Sequence, residues 1–82
     1  LNENKEFQLG ISAFKKESYT EAISILKNID PDDTYYYEAQ LYIGKSHIKL
    51  GNSKKSKTYL KNALNGSKRI QSEAQKLLST QK

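Results

Sequence analysis

The side chains that could carry out catalysis or hold a metal ion are few, and their spacing suits neither task. The chain has no cysteine and a single histidine, His47, so a thiolate nucleophile and a thiolate metal site are excluded. No carboxylate stands three or four residues from His47, where it could orient the imidazole on a helix. We interpret His47 as a packed core residue and expect no catalytic residue, no metal site, no cofactor and no enzymatic activity.

Three aspartates surround the only proline of the chain, in the order Asp30, Pro31, Asp32, Asp33. A calcium loop would need acidic residues at alternating positions over about twelve residues and a closing glutamate, which this segment lacks. Aspartate is also a common cap at the positive N-terminal end of a helix. We therefore expect these carboxylates to cap the helix that follows.

Charge is distributed unevenly along the chain, whose formal net charge is +5. Residues 1–38 contain four lysines and eight acids, which gives 4 − 8 = −4, whereas residues 39–82 contain ten basic residues and one acid, which gives 10 − 1 = +9. Lys54, Lys57 and Lys61 would share one helix face, because they are three and four residues apart. This basic face is either a solvated surface or a site for an anionic polymer or a membrane surface.

Nucleic acid is a poor candidate for the partner of this basic region. Sites for nucleic acid usually add arginine and stacking aromatic side chains to their lysines. Here only Arg69 and Tyr59 could serve in those roles.

The spacing of apolar residues and the turn signals predict five helices and no strand. Their expected bounds are about 4–16, 19–30, 31 or 34 to 50, 53–65 and 67–79. We expect a capping box at Ser18 and Glu21, a left-handed glycine at Gly51, and helix caps at Asn52-Ser53 and Ser67. The expected core residues are Phe7, Leu9, Ala13, Phe14, Ala22, Ile23, Leu26, Ile29, Tyr36, Ala39, Ile43, His47, Leu50, Ser56, Leu60, Ala63, Leu64, Ile70, Ala74, Leu77 and Leu78.

Three consecutive tyrosines, Tyr35 to Tyr37, stand near the start of the third predicted helix. Neighbours on a helix point about 100° apart, so the three cannot all be buried and one or two must be exposed. We expect Tyr36 in the core and Tyr35 or Tyr37 packed on the preceding helix or on an upstream repeat. The alternative is an aromatic contact surface for a partner.

The chain repeats itself with a period of 34 residues. Leu9-Gly10 aligns with Ile43-Gly44, and Leu26 aligns with Leu60. A fixed period of this size is typical of stacked helical hairpins, each of which needs a neighbour to cover its apolar face. We predict an all-α, α-solenoid fold of two antiparallel hairpins plus a fifth capping helix, with repeat one at about 3–33, repeat two at about 34–66 and the cap at 67–79.

These residue types resemble the tetratricopeptide repeat over about residues 3–65. The matching residues are Leu9-Gly10, Phe14, Tyr19, Ala22-Ile23, Leu26 and Pro31 in the first unit, and Ala39 to Gly44, Leu50-Gly51, Leu60 and Ala63-Leu64 in the second. Glu17 stands where the pattern usually has glycine at the bend, Ser56 replaces a small alanine, His47 takes an aromatic site, and Pro31 comes about three residues early. Glycine and alanine at these positions allow the helices to approach closely.

The resemblance implies a protein-interaction module, a scaffold or adaptor, whose first helices line a concave groove for a peptide or a partner helix. The groove residues would be Gln8, Ile11, Lys15, Glu38, Tyr42, Lys45, Lys49 and Lys76, with Gln75 as an extension. Tyrosine would anchor the partner and lysine would attract its carboxylates. The alternative function is binding of an anionic polymer or membrane surface through Lys54, Lys57 and Lys61.

No stretch of the sequence has the pattern of a signal peptide or of a membrane span, so we expect a soluble chain. The sequence does not indicate the cellular compartment of the chain. The chain contains no methionine, and we therefore expect it to be a piece of a longer protein. Apolar repeat ends could also drive self-association.

Overall fold

The computed structural model describes residues 4–81, which form five α-helices and no strand. The helices are α1 (Lys5–Lys15), α2 (Tyr19–Leu26), α3 (Tyr36–Lys49), α4 (Ser53–Ala63) and α5 (Lys68–Thr80). The predicted all-helical class is confirmed. All five helices lie within five residues of their expected bounds: α2 ends four residues early, and α3 begins two or five residues after its two expected starts.

The segment 27–35 between α2 and α3 folds as turns. Asp30 Oδ1 accepts the backbone N–H of Asp32 at 2.9 Å, and Asp33 Oδ1 accepts that of Tyr35 at 2.8 Å. Aspartate side chains that bond their own backbone in this way compete with helical hydrogen bonding. The prediction that these aspartates cap the third helix is therefore wrong, because they stabilise the turn and α3 begins without a side-chain cap.

The predicted helix caps are formed at some positions and not at others. Ser67 Oγ accepts the backbone N–H of Ile70 at 3.4 Å, as expected at the start of α5. Ser18 makes no side-chain cap hydrogen bond, so the predicted capping box with Glu21 is not formed. Asn52 is the N-cap residue of α4, but its side chain does not cap the helix either.

The two helices of each hairpin meet at a glycine that faces a leucine. A Cβ atom added to Gly44 would lie 2.7 Å from Leu60 Cδ2, closer than side chains approach each other. A Cβ atom at Gly10 would collide with Leu26 in the same way. Both the glycines and the leucines are 34 residues apart in the sequence. The repeat period therefore corresponds to a repeated contact, in which the missing side chain lets α2 approach α1 and α4 approach α3.

The first helix of each hairpin also ends in the same backbone motif. The equivalent hydrogen bonds run from Ser18 N–H to Ala13 O at 2.9 Å and from Asn52 N–H to His47 O at 2.8 Å. At the centre of this Schellman-type end, Gly51 has a φ of 80° and Glu17 has a φ of 66°. The predicted left-handed Gly51 is confirmed, and Glu17 adopts the same conformation although it carries a side chain.

Helix packing follows chain order. Each helix contacts the next one along the chain, and α3 also contacts α1 and α5. Within residues 4–81, the backbones of α1 and α2 do not come close to those of α4 and α5. The Cα atoms extend over 40 × 27 × 16 Å, and the shortest dimension is about that of two helix layers.

The core consists of two clusters that meet at α3. One contains Leu41, Leu60, Ala63, Ile70 and Ala74, and the other contains Leu26, Ile29, Ala39 and Ile43. Since α3 contributes to both clusters, it is the central helix of the fold. A partly buried polar network joins α4 to α3: Asn62 Nδ2 donates to Gln40 Oε1 at 2.9 Å and to the Tyr36 hydroxyl at 3.0 Å.

Two residues of the predicted core are exposed, Leu9 at 60% and Leu50 at 42%. Ile43, which is 34 residues after Leu9, is fully buried because α2 packs against α3 there. No helix of residues 4–81 covers Leu9 in the corresponding way, so its predicted burial is wrong. Leu50 follows the last residue of α3 and extends past the packed part of that helix.

The three consecutive tyrosines are all half-buried. Tyr35 stacks on Phe7 of α1 with ring centroids 4.6 Å apart. Tyr36 is tied to Asn62 through its hydroxyl, and Tyr37 packs against the cluster around Leu41. Tyr35 thus packs on α1 and not, as expected, on the immediately preceding helix α2, and the expectation that one or two of the three are exposed is also wrong.

Replacing Glu17 by glycine should raise the free energy of unfolding by about 1 kcal/mol. The left-handed backbone costs a residue with a side chain roughly 1–2 kcal/mol, and the greater freedom of glycine in the unfolded chain offsets part of the gain. Urea denaturation followed by circular dichroism measures the change. Gly51→Ala is the control and should lose a similar amount, since no atom lies within 4 Å of the added Cβ. A Glu17→Gly variant no more stable than the parent chain would contradict the prediction.

Gly44→Ala should destabilise the fold by about 1–2 kcal/mol, because overpacking against Leu60 outweighs the better helix propensity of alanine. Leu60 has no exposed surface and cannot move aside freely. Combining Gly44→Ala with Leu60→Ala should cost less than the sum of the two single changes. Chemical denaturation of the four proteins in this double-mutant cycle measures the coupling, and strict additivity would count against the contact.

Candidate interaction surface

The residues predicted to line a groove lie on three helices, with α3 in the middle. α3 contacts α1 and α5, which do not contact each other in the described part of the chain. We call the surface of these residues the α1–α3–α5 face. Its members are Gln8, Ile11 and Lys15 of α1, Glu38, Tyr42, Lys45 and Lys49 of α3, and Gln75 and Lys76 of α5.

Tyr42, the predicted anchor, is half-buried between α3 and α1. Its ring packs edge-on to Phe14 with centroids 5.1 Å apart, and to Phe7 at 6.5 Å. Lys45 Nζ lies 4.6 Å from the centroid of the same ring, a cation–π contact. The ring is therefore held in place by contacts within the chain.

Two of the predicted groove residues form ion pairs that join α3 to α5. Lys45 Nζ lies 2.5 Å from Glu73 Oε2, and Arg69 Nη2 lies 3.1 Å from Glu38 Oε2. All four side chains are partly exposed, so each pair contributes at most about 1 kcal/mol. Lys45 and Glu38 are thus engaged within the chain, and a partner would have to compete for them.

The other groove residues offer an apolar patch beside positive charge. A shallow cavity of about 290 Å³ on α1 is lined by Phe7, Gln8, Ile11, Ser12 and Lys15. Ile11 in this cavity is half-buried, while Lys15, Lys49 and Lys76 are exposed. No carboxylate of residues 4–81 forms an ion pair with these three lysines. The α1–α3–α5 face can therefore accept an apolar side chain with acidic neighbours.

The basic face of α4 is less uniform than its spacing suggests. Lys54 and Lys61 are exposed, but Lys57 is half-buried. None of the three forms an ion pair with a carboxylate of residues 4–81. Two of the three predicted lysines are thus fully available on the surface of α4.

His47 is 7% exposed and stacks on Tyr59 of α4, with ring centroids 5.6 Å apart. Its Nδ1 atom lies 3.5 Å from Asn52 Nδ2. Burial lowers the pKa of His47, and the charges of Lys55 and Lys27 lower it further. The prediction of a packed core histidine is confirmed, and its neutral form is the one that the fold favours.

A cleft of about 560 Å³ lies between α2 and α4, where no motif of the sequence predicts a site. We call it the α2–α4 cleft. It is lined by Thr20, Ile23, Lys27, His47, Leu50, Asn52, Lys55, Thr58 and Tyr59. Lys27 and Lys55 belong to different hairpins and are 28 residues apart, so no helical or repeat spacing connects them in the sequence.

The described residues contain no group of three or more His, Asp or Glu side chains placed to hold a metal ion. The longest helix, α3, has 14 residues, whereas a membrane-spanning helix needs about 20. Accordingly, no helix in residues 4–81 is long and apolar enough to cross a membrane.

Comparisons of the chain with protein-family models, with curated proteins and with solved structures find no match. The resemblance to tetratricopeptide repeats therefore depends on the residues of the chain itself. It remains a prediction about the family.

Stability should fall as the pH drops below about 6.5, the ordinary pKa of histidine. Because the pKa of His47 is lowered in the folded chain, the unfolded chain binds more protons than the folded chain as the pH falls. The contribution of the neutral His47 to the free energy of unfolding is therefore complete above the ordinary pKa of histidine and is lost below it. Urea denaturation at several pH values in a phosphate-free buffer measures the slope. His47→Gln should flatten the slope between pH about 5.5 and 7, a range above the ordinary titration of carboxylates. An unchanged slope in this variant would show that other groups cause it.

Proposed function

We propose that the chain is a tetratricopeptide-like interaction module that binds a peptide or a partner helix along the α1–α3–α5 face. The observation that carries this proposal is the repeated glycine–leucine contact, Gly10 with Leu26 and Gly44 with Leu60. Two hairpins built on the same contact with the same period are the unit of a helical solenoid. Solenoids of this kind use an extended surface, rather than a catalytic pocket, for their function.

The order of helix contacts supports a solenoid instead of a closed bundle. In a closed bundle the first and last helices would pack against each other, whereas α1 and α5 make no contact. The role of α5 follows from its sequence position, since Ile70 and Leu77 are 34 residues after Tyr36 and Ile43. It occupies the place of the first helix of a third repeat and buries Ile70 and Ala74 against the second hairpin. We propose that α5 caps the array.

The charges and the apolar surface together define the partner that fits the α1–α3–α5 face. Lys15, Lys49 and Lys76 are exposed, while the acidic Glu38 is neutralised by Arg69. The cavity around Ile11 accepts an apolar side chain. The proposed ligand is therefore a polypeptide segment with an apolar anchor and acidic residues nearby. The proposal includes no catalytic step.

Charge reversal on the proposed face should weaken peptide binding by about tenfold. Peptides would be selected from a displayed random library against the folded chain, and the best binder would be measured by fluorescence anisotropy. Lys15→Glu combined with Lys49→Glu replaces attraction of acidic residues by repulsion, which is worth about 1.4 kcal/mol or more. The selected sequences should be enriched in aspartate or glutamate next to an apolar residue. Chemical-shift changes should fall on α1, α3 and α5.

The matched control is Lys54→Glu combined with Lys61→Glu, which makes the same change in net charge on the exposed side of α4. It should leave the affinity of the peptide within about threefold, since separated surface charges are screened at physiological salt. An equal loss in both double variants, or shift changes confined to α4, would overturn the groove proposal. That result would favour the basic face of α4 as the site. The affinity of this face for its ligand should then fall steeply with added salt.

A further inference from the structure

The α2–α4 cleft combines positive charge, hydrogen-bond donors and an apolar wall. Its cations are Lys27, which follows the last turn of α2, and Lys55, in the first turn of α4. Both lysines are exposed and neither forms an ion pair with a carboxylate of residues 4–81. Among residues 4–81, no aspartate or glutamate lines the cleft. Two like charges thus face a concave surface to which the described residues supply no counter-charge.

The polar groups of the cleft can act as hydrogen-bond donors. Thr20 and Thr58 supply hydroxyl groups and Asn52 supplies an amide. When Asn52 Nδ2 donates to His47 Nδ1, the neutral imidazole carries its proton on Nε2. In residues 4–81 this Nε2–H has no hydrogen-bond partner, so it remains available as a further donor.

Apolar surface lines the rest of the cleft. Ile23, Leu50 and the ring of Tyr59 complete the lining. Tyr59 is fixed by its stacking on His47. A ligand site with an apolar wall and a few convergent polar groups is suited to a small organic molecule with one anionic group.

We propose that the α2–α4 cleft binds a phosphate monoester, with Lys27 and Lys55 on the phosphate and Ile23, Leu50 and Tyr59 against its organic group. The charge of the ligand follows from the site, because a phosphate dianion balances two lysines whereas a carboxylate balances one. This site lies on α2 and α4 and does not depend on the proposed peptide groove.

The single histidine makes the site directly measurable. His47 would be titrated by NMR in chloride, inorganic phosphate, acetate and adenosine monophosphate at matched ionic strength. A bound dianion close to the imidazole favours its protonated form, so phosphate and the monoester should raise the pKa of His47 saturably, while chloride and acetate should not. The aromatic ring of Tyr59 faces His47 from α4, and Lys27 and Lys55 are the charged groups around His47.

If the pKa shift of His47 saturates at a lower concentration of adenosine monophosphate than of inorganic phosphate, the ligand is a monoester. The organic group would then add contact with the apolar wall of the cleft. Equal affinity for the two would overturn the assignment to a monoester and leave a simple oxyanion site. The absence of a saturable shift with either compound in the millimolar range would overturn the proposal altogether.

Variants separate the site from general charge effects. Lys27→Gln and Lys55→Gln should each weaken binding roughly tenfold, the loss expected for one charge-assisted hydrogen bond. Lys54→Gln is the matched control, because this exposed lysine adjoins Lys55 on α4 but does not line the cleft. Its affinity should stay within about twofold of the parent. An equal loss with Lys54→Gln would show nonspecific attraction of anions and overturn the site. The peptide assay on these variants should be unaffected.

Discussion

The contact between a glycine on the first helix and a leucine on the second sets the geometry of each hairpin. Because Gly10 and Gly44 have no side chain, Leu26 and Leu60 can pack directly on the backbone of the opposite helix. Close approach of this kind fixes the spacing of the pair and leaves the other sides of each helix free for a neighbour. On this spacing the second helix of each hairpin lies against the first, and α3 can meet α2 on another of its sides.

Much of the fold could be predicted from local rules and from the period of the chain. The 34-residue repeat aligns Gly10 with Gly44 and Leu26 with Leu60, so the equivalent contacts were predictable before any coordinates. Gly51 could be identified because glycine adopts a positive φ at little cost. The segment 27–35 was predicted less well, because an aspartate can cap a helix or close a turn and its neighbours do not decide between the two.

The candidate sites depend on contacts between helices that no spacing rule describes. The pairing of Lys45 with Glu73 became visible only when α5 was placed beside α3. The α2–α4 cleft joins Lys27 and Lys55 from separate hairpins in the same manner. Leu41 is almost fully buried although it lies outside the predicted core stripe, because α3 packs against all four other helices of residues 4–81. A single amphipathic stripe is a poor guide for such a central helix.

The left-handed Glu17 has a consequence for how the molecule opens. The first hairpin contains this strained residue and a second helix, α2, of eight residues, which is too short to be stable alone. The second hairpin has glycine at the equivalent bend and an eleven-residue α4. The two helices of this hairpin are also covered from outside, α3 by α2 and α4 by α5. Backbone amides of α1 and α2 should therefore exchange with solvent through local opening while those of α3 and α4 remain protected, so that the two units of one repeat sequence behave as separate cooperative segments.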